Sequence, residues 1–351
     1  MSTRDTDRDD LATRMHSGDR FVLVVDEGET GHREDFARDV RAGLTAVPKS
    51  LPSRYFYDRE GSHLFEQICD LPEYYLPRAE REILRAHSGD VASRFATRIT
   101  MVELGSGNAE KTRILIEAFL RRHEALRYVP VDISRGMLED SARAVHDAYP
   151  ALEVLAVASD YLDGFRYLGT GGGDPKLILW LGSSIGNLER PEAAAFLRRV
   201  GGAMSARDRL LVGIDLRKER RVLEPAYDDS QGVTARFNLN ILARINRELG
   251  GQFDLETFRH RAVYDAEIGR IEMYLVSTRA QQVRIDRVGL TVRFDAGEAI
   301  HTENSYKYSL AEIDALARDG GLRLDAQWLD AGERFSVNVF ACGAGDDGRR
   351  T

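Results

Sequence analysis

The chain has 351 residues, 43% apolar and 30% charged, which is enough apolar material for one large or two modest cores and is the composition of a globular protein. A net charge of -8 lacks the basic footprint that nucleic-acid binding leaves, no apolar run nears the ~20 residues of a membrane helix, and the charged first 20 residues have no signal-peptide core. Cys69 and Cys342 form no C-x-x-C pair and the eight histidines show no spacing such as H-E-x-x-H, so the expectation is a cytoplasmic protein with no structural disulfide and no metal.

Residues 1–20 read as a disordered tail. Phe21 to Val25 suits an edge strand and Arg33 to Leu44 a helix. Pro48 to Asp58, rich in proline and aromatics, reads as a rigid loop, Ser62 to Asp70 as a short helix carrying Phe65, and Leu71-Pro72-Glu73-Tyr74-Tyr75 as a second aromatic loop. Tyrosines in such loops are as readily packing residues with a wet hydroxyl as they are ligand contacts. Thr100 to Leu104 is a short strand that runs into Gly105-Ser106-Gly107 and then a helical stretch from Glu110, with Asn108 as its N-cap. The glycines permit unusual backbone angles and close ligand approach. The third glycine of a dinucleotide loop is replaced by Glu110 and no G-K-[ST] follows, so a ligand without phosphates fits better than a dinucleotide or a triphosphate.

Residues 127–133 form the next strand, and Asp132 at its end stands at the spacing of a ribose-binding carboxylate, which can accept from two hydroxyls. Leu152 to Val157 is a third strand ahead of Ser159-Asp160-Tyr161, Lys176 to Leu181 a fourth with the continuous apolar run of a strand buried on both faces, and residues 208–216 a fifth. Helical stretches at 135–148 and 191–204 alternate with them, which implies a doubly wound parallel sheet. After the fourth strand comes Leu181-Gly182-Ser183-Ser184-Ile185-Gly186-Asn187, where the Asn187 amide either orients a polar acceptor or caps a turn. About ninety residues then interrupt the fold, with a helix through 237–242 and alternating segments at 271–278 and 290–294. Only from Ser309 does the closing pattern arrive, as a helix over 311–318 and strands over 322–329 and 335–341. The expected architecture is therefore α/β. It comprises a Rossmann-like domain of residues 81–217 and 305–345 and a second α+β domain, built from residues 21–80 and the late insertion 218–304, that roofs the ligand site.

Glu103-Leu104-Gly105-Ser106-Gly107 is similar to the first motif of class I S-adenosylmethionine-dependent methyltransferases. Together with Pro48-Lys49-Ser50-Leu51-Pro52, Tyr57-Asp58, Gly61-Ser62, Leu71-Pro72-Glu73-Tyr74-Tyr75, Leu181 to Asn187, Ala226-Tyr227-Asp228-Asp229, Arg270-Ile271-Glu272-Met273 and Thr302-Glu303-Asn304-Ser305-Tyr306-Lys307, it makes nearly the whole chain after the tail resemble the L-histidine N-alpha-methyltransferases of ergothioneine biosynthesis. That resemblance implies trimethylation of the histidine α-amino group to hercynine, with S-adenosyl-L-methionine as methyl donor and no metal. It implies that Gly105, Lys111, Asp132, Asp160 and Tyr161 hold the donor, with Lys111 on the methionine carboxylate. The acceptor's carboxylate and amine would meet Asn187 and Tyr227 beside Gly182, with Tyr57 and Phe65 around the amine. Tyr74, Met273, Glu303 and Ser305 would surround the imidazole, and Tyr57 and Asn187 would be the catalytic pair. Glu303 and Ser305 carry the most information, because a buried imidazole needs a partner for each ring nitrogen. The implied partner is free L-histidine and the implied state a monomer, with no nucleic acid or membrane involved. The alternatives are an N-methyltransferase for another amino acid or an imidazole or indole metabolite and, further off, a dinucleotide-dependent oxidoreductase. The matched residues include no histidine base, so Tyr57, water or bulk solution remain as proton acceptors.

Overall fold

The computed structural model describes residues 20–25, 29–159 and 173–343. Its first elements are β1 (Phe21–Val25), α1 (Glu29–Thr45), the two-residue β2 (Lys49–Ser50), α2 (Arg59–Asp70) and α3 (Leu76–Ser93). The alternating core follows, as β3 (Thr100–Leu104), α4 (Glu110–Arg122), β4 (Leu126–Asp132), α5 (Arg135–Ala148), β5 (Leu152–Ala158), β6 (Lys176–Trp180), α6 (Arg190–Ala203) and β7 (Arg209–Asp215). The late insertion supplies α7 (Arg220–Tyr227), α8 (Val233–Leu249), β8 (Phe258–Asp265), β9 (Arg270–Ser277), β10 (Gln281–Ile285), β11 (Leu290–Phe294) and β12 (Ala299–Tyr306). The chain closes with α9 (Leu310–Asp319), β13 (Leu322–Leu329) and β14 (Phe335–Cys342).

Eight strands form one sheet in the order β1-β5-β4-β3-β6-β7-β14-β13, in which β14 alone runs against the rest: it is antiparallel to β7 on one side and to β13 on the other. All five residues of β3 are buried, as are the last four of β6, so their apolar runs fit a position between helix layers. Chain order reverses between β3 and β6. In an open parallel sheet this switch point leaves a crevice at the strand C-termini, here at Gly105 and Gly182.

A second sheet, β2-β12-β9-β8, and the β10-β11 hairpin stand beside the first. The burial of β9 alternates strictly, with Ile271, Met273, Leu275 and Ser277 inward, as its sequence pattern predicts. β12 is less regular. Ile300 and Thr302 are buried in its first half, Glu303 and Ser305 in its second, and a register shift against β9 between His301 and Glu303 makes the change. A bulge of this kind re-aims side chains, and here it sets Glu303 opposite Met273 and Ser305 opposite Ile271.

Four expectations change. β1 is the edge strand as expected, but of the large sheet, paired with β5, and so lies outside the second lobe to which residues 21–80 were assigned. The expected boundary at residue 80 falls inside α3, an 18-residue helix that packs on α4 and β14 and so belongs to the Rossmann-like layers. The boundary at 304 falls inside β12, whose pairing with β9 continues to Tyr306. Asn108 is not the N-cap of α4: Ala109 holds that place in a left-handed conformation (φ 56°), and Asn108 Oδ1 accepts from the Glu110 N–H at 3.2 Å. The loop spends its left-handed turns at Gly105, Gly107 and Ala109, which displaces the cap by one residue.

Candidate active site

The crevice deepens into a cavity of about 590 Å³ that runs from the glycine loop to the inserted sheet. At the loop end, Gly105 N–H donates to the Val131 carbonyl at 2.8 Å, which ties the loop to β4. Asp132 accepts from the Gly107 N–H at 2.9 Å on one oxygen and from the Ser134 N–H at 2.8 Å on the other. Each oxygen keeps a lone pair for a further donor, so the carboxylate suits a vicinal diol. Burial raises the Asp132 pKa and those backbone hydrogen bonds oppose the rise. Ser106 adds a buried hydroxyl on the cavity wall with no hydrogen-bond partner among the described residues. Asp160 and Tyr161 lie outside the described residues.

Lys111, in the first turn of α4, forms an ion pair with Glu80 of α3. Burial pulls its ammonium down, but Glu80 outweighs that and its pKa is raised. Glu80 is fully buried and also accepts the Gly182 N–H, at 2.9 and 3.0 Å to its two oxygens. A Cβ at Gly213 of β7 would stand 1.9 Å from Glu80 Oε1, so that position must be glycine for the carboxylate to reach both partners. Glu103 lies below, accepting from the Thr112 hydroxyl at 2.5 Å and from Tyr128, and burial pushes its pKa up to about 7.

At the other end the sequence-predicted residues converge. Tyr57, Phe65 and Tyr74 stand edge to face in turn, with ring centroids 5.5 and 6.3 Å apart, and Tyr74 meets Tyr227 in the same way at 5.9 Å. Phe237 of α8 joins the cluster, 5.7 Å from Tyr57 and 5.9 Å from Phe65. Glu303, Ser305 and Met273 complete the wall. The Glu303 carboxyl has no hydrogen bond among the described residues, and burial pushes its pKa up to about 7 against the pull of Lys307. Tyr227 and Ser305 hydroxyls lie 2.8 Å apart. Burial, then Glu303, raises Tyr57 well above the ordinary phenol range, so it is a neutral phenol near pH 7.

Asn187 ends a 3-10 turn, Ser184–Asn187, that follows β6 and borders the cavity next to Gly182. Its amide forms no hydrogen bond among the described residues, so it does not cap that turn. The turn is held instead by Ser183, whose Oγ accepts the Asp215 N–H at 2.9 Å, and by Gly186, where a Cβ would lie 2.7 Å from the Tyr306 carbonyl. Buried or half-buried polar groups are normally paired within the protein. Here an amide, a carboxylate and the phenols of Tyr57 and Tyr74 share one cavity without such partners.

Glu80, Phe237, Asp215 and Lys307 belong to the site or its support without a sequence signal that marks them so. Asp215 ends the fifth strand and Lys307 ends a motif that was recognised, but nothing in either stretch marks them as buried. Glu80 sits in α3, a helix absent from the sequence-based expectations.

A glycine loop after the first core strand, an acid closing the second and a last strand that runs in reverse between β7 and β13 together define a class I S-adenosylmethionine-dependent methyltransferase. The cradle fits that donor: it offers Asp132, the Ser106 hydroxyl and positive-φ glycines, with Lys111 beside them. Within the class, the chain belongs to the histidine-specific, SAM-dependent methyltransferase family, whose model matches residues 36–342. Histidine N-alpha-methyltransferase of Mycobacterium tuberculosis (strain CDC 1551 / Oshkosh) is 44% identical over 314 residues, covering 90% of this chain and 97% of that protein. The enzyme of the same name from Mycolicibacterium smegmatis is 42% identical over 87% of this chain and 94% of its own length. Ergothioneine biosynthesis protein 1 of Neurospora crassa is 33% identical over 84% of this chain, which matches 33% of that longer protein. Among the described residues no helix is long and apolar enough to cross a membrane, and no cluster of three His, Cys, Asp or Glu residues is placed to hold a metal.

Proposed function

We propose that this protein methylates the α-amino group of L-histidine three times, with S-adenosyl-L-methionine as donor, and releases hercynine. The observation that carries the reading is the pair Glu303 and Ser305, two residues apart on β12 and turned inward by the bulge, facing a cavity that already contains an aromatic cluster. An imidazole has two ring nitrogens to satisfy, and a carboxylate with a hydroxyl beside it meets both. An indole has one N–H and would leave a polar group stranded.

On this reading Gly105, Asp132 and Lys111 hold the donor, which when bound supplies an electrophilic methyl group on sulfur. Asn187 and Tyr227 orient the acceptor's carboxylate and amine, and Tyr74, Met273, Glu303 and Ser305 surround the ring. The transfer is an in-line displacement, so the protein's task is alignment and exclusion of water rather than covalent catalysis. Tyr57, held neutral by burial, orients the amine through its hydroxyl; the proton that the amine loses before each transfer goes to water, and S-adenosylhomocysteine leaves as the thioether. Each added methyl makes the nitrogen bulkier and the last leaves a fixed cation. The faces of Tyr57, Phe65 and Tyr74 stabilise such a cation by ~0.5 to 2 kcal/mol. With both cysteines free, the reading suits a reducing cytoplasm and a free amino acid as substrate.

The test is incubation with L-histidine and S-adenosyl-L-methionine, followed by mass spectrometry for one, two and three added methyl groups. A panel of other amino acids and imidazole or indole amines runs in parallel. Faster methylation of a panel member than of histidine would overturn the substrate assignment.

A further inference from the structure

Behind the Glu303 end of the cavity lies a charged cluster that takes no part in the proposed chemistry so far. Lys307, one residue beyond β12, is fully buried. Its Nζ lies 2.8 Å from Asp215 Oδ2, 2.8 Å from the Tyr227 hydroxyl and 2.9 Å from Ser305 Oγ. An ammonium has three N–H bonds, so each is committed to one of these partners. Asp215, also fully buried, accepts further hydrogen bonds from Lys218 at 2.6 Å and from the Tyr75 hydroxyl at 2.8 Å. Two lysines therefore share one buried carboxylate, and while both are protonated the cluster carries one positive charge in excess.

The proton count at the cavity surface follows. Lys307 fills one lone pair on Tyr227 and one on Ser305, and of those two hydroxyls, 2.8 Å apart, one donates to the other. A single hydroxyl proton remains unspent: with Ser305 donating to Tyr227 it is the Tyr227 proton, which leaves Ser305 an acceptor for a ring N–H, and both residues line the cavity. A ligand there meets a donor backed by a buried cation, and a carboxylate matches it better than an uncharged acceptor of the same shape.

We propose that Lys307 is the positioning residue that makes this site select amino acids with a free α-carboxylate, acting through Tyr227 and Ser305 without touching the ligand. The proposal rests on the reading of Tyr227 as a partner of the substrate carboxylate, and it adds the source of the selectivity. Without the ammonium, each hydroxyl regains a lone pair, the pair no longer has a fixed donor direction, and the positive field behind it is gone. With Lys307→Met, Asp215 still has Lys218 and Tyr75, so the carboxylate is not stranded.

The experiment compares kcat/KM for L-histidine with that for L-histidinamide, which has the same shape at neutral charge, in the wild type and in Lys307→Met, Lys307→Arg and the doubly neutral Asp215→Asn/Lys307→Met. The wild type favours histidine. Lys307→Met and the double variant should lose about tenfold or more of that preference, mainly through the histidine KM, as expected for a lost charge-assisted hydrogen bond. Lys307→Arg should retain the preference in large part, and S-adenosylhomocysteine affinity should be unaltered throughout. Equal loss on both substrates, with the ratio unchanged, makes Lys307 structural only and overturns the proposal. The double variant answers the question if the single one does not fold. Should the wild type prefer another amino acid, the histidine reading fails separately, and the same ratio for that amino acid and its amide decides the role of Lys307.

Discussion

Of the residues that line the site, Glu303 is the most exposed to refutation, because its burial makes a prediction that does not involve substrate at all. Its carboxyl sits at about 7 against an ordinary 4.5, chiefly through burial. An acid whose folded-state pKa is raised keeps its proton on the folded chain after the unfolded chain has lost it. The unfolded state therefore binds fewer protons between about pH 4.5 and 7, and stability falls as pH rises through that window. A difference from 4.5 to about 7 corresponds to roughly 3 kcal/mol at most, taking 1.36 kcal/mol for each pH unit. Glu303→Gln removes the titration and keeps the shape. Relative to wild type, the ligand-free variant should gain about 2 to 3 kcal/mol between pH 4.5 and pH 8 in urea unfolding, while its histidine kcat/KM falls ~10 to 1000-fold for want of a charge-assisted acceptor. Glu103, also at about 7, contributes the same slope to both proteins and cancels in the difference. A stability difference that is flat across this range would mean that Glu303 is not a buried acid, and the assignment of the ring pocket would lose its main support.

Other residues give sharper, simpler outcomes. Asp132→Ala leaves the Gly107 and Ser134 N–H groups without their acceptor and removes the proposed ribose contact. S-adenosylhomocysteine binding by calorimetry should weaken by ~1 to 3 kcal/mol with histidine affinity unaltered, and an unchanged donor affinity takes Asp132 out of the site. Asn187→Asp keeps the size of the side chain but sets a negative charge where the substrate carboxylate is proposed to bind, so turnover should collapse while circular dichroism and Tm stay close to wild type. A working Asp variant would remove Asn187 from the proposed acceptor site. Glu80→Gln removes the charge that holds the Lys111 ammonium up, so the donor KM should begin to rise at lower pH than in wild type, and coincident profiles would separate Lys111 from the donor.

What the sequence made legible depended on how local the information was. The apolar run of β6, the alternation of β9 and the Gly105 to Gly107 loop are patterns within a few residues, and each became the element or turn its pattern implied. Asp132 was readable from its distance to the glycine loop, and the structure sets it against that loop's Gly107 N–H. The inward facing of Glu303 was not readable from periodicity, because a strand pattern that buries Ile300 and Thr302 turns Glu303 outward unless a bulge intervenes. Here a recognised motif supplied the residue and only the fold supplied its direction. Glu80 and Lys307 were not readable as buried at all. Isolated charges are assigned to the surface by default, and the groups that make burial tolerable lie far away in sequence, at Lys111 and Gly182 for one and at Asp215 and Tyr227 for the other.

Those two buried clusters share a function that neither has alone. Both grip the short segment after β6: Glu80 accepts the Gly182 N–H, and the backbone N–H of Asp215 donates to the Ser183 hydroxyl. Gly182 and Ser183 adopt left-handed backbone angles, at φ 72° and 61°, a conformation that is costly at Ser183 and persists when its surroundings over-determine it. Glu80 ties the segment to Lys111 near the glycine loop, and Asp215 ties it to Lys307, Tyr227 and Ser305 near the inserted sheet. Asn187 closes the same segment, between the two. Displacement chemistry on a sulfonium depends on distance and angle more than on any single functional group, and an error near 1 Å costs on the order of a hundredfold. A segment clamped from both sides by buried charge sets that distance from the backbone. Its anchors are therefore expected to matter for rate although none of Glu80, Asp215 or Lys307 lines the cavity. Since both anchors act on one backbone segment, the effects of changing them should be coupled and not additive.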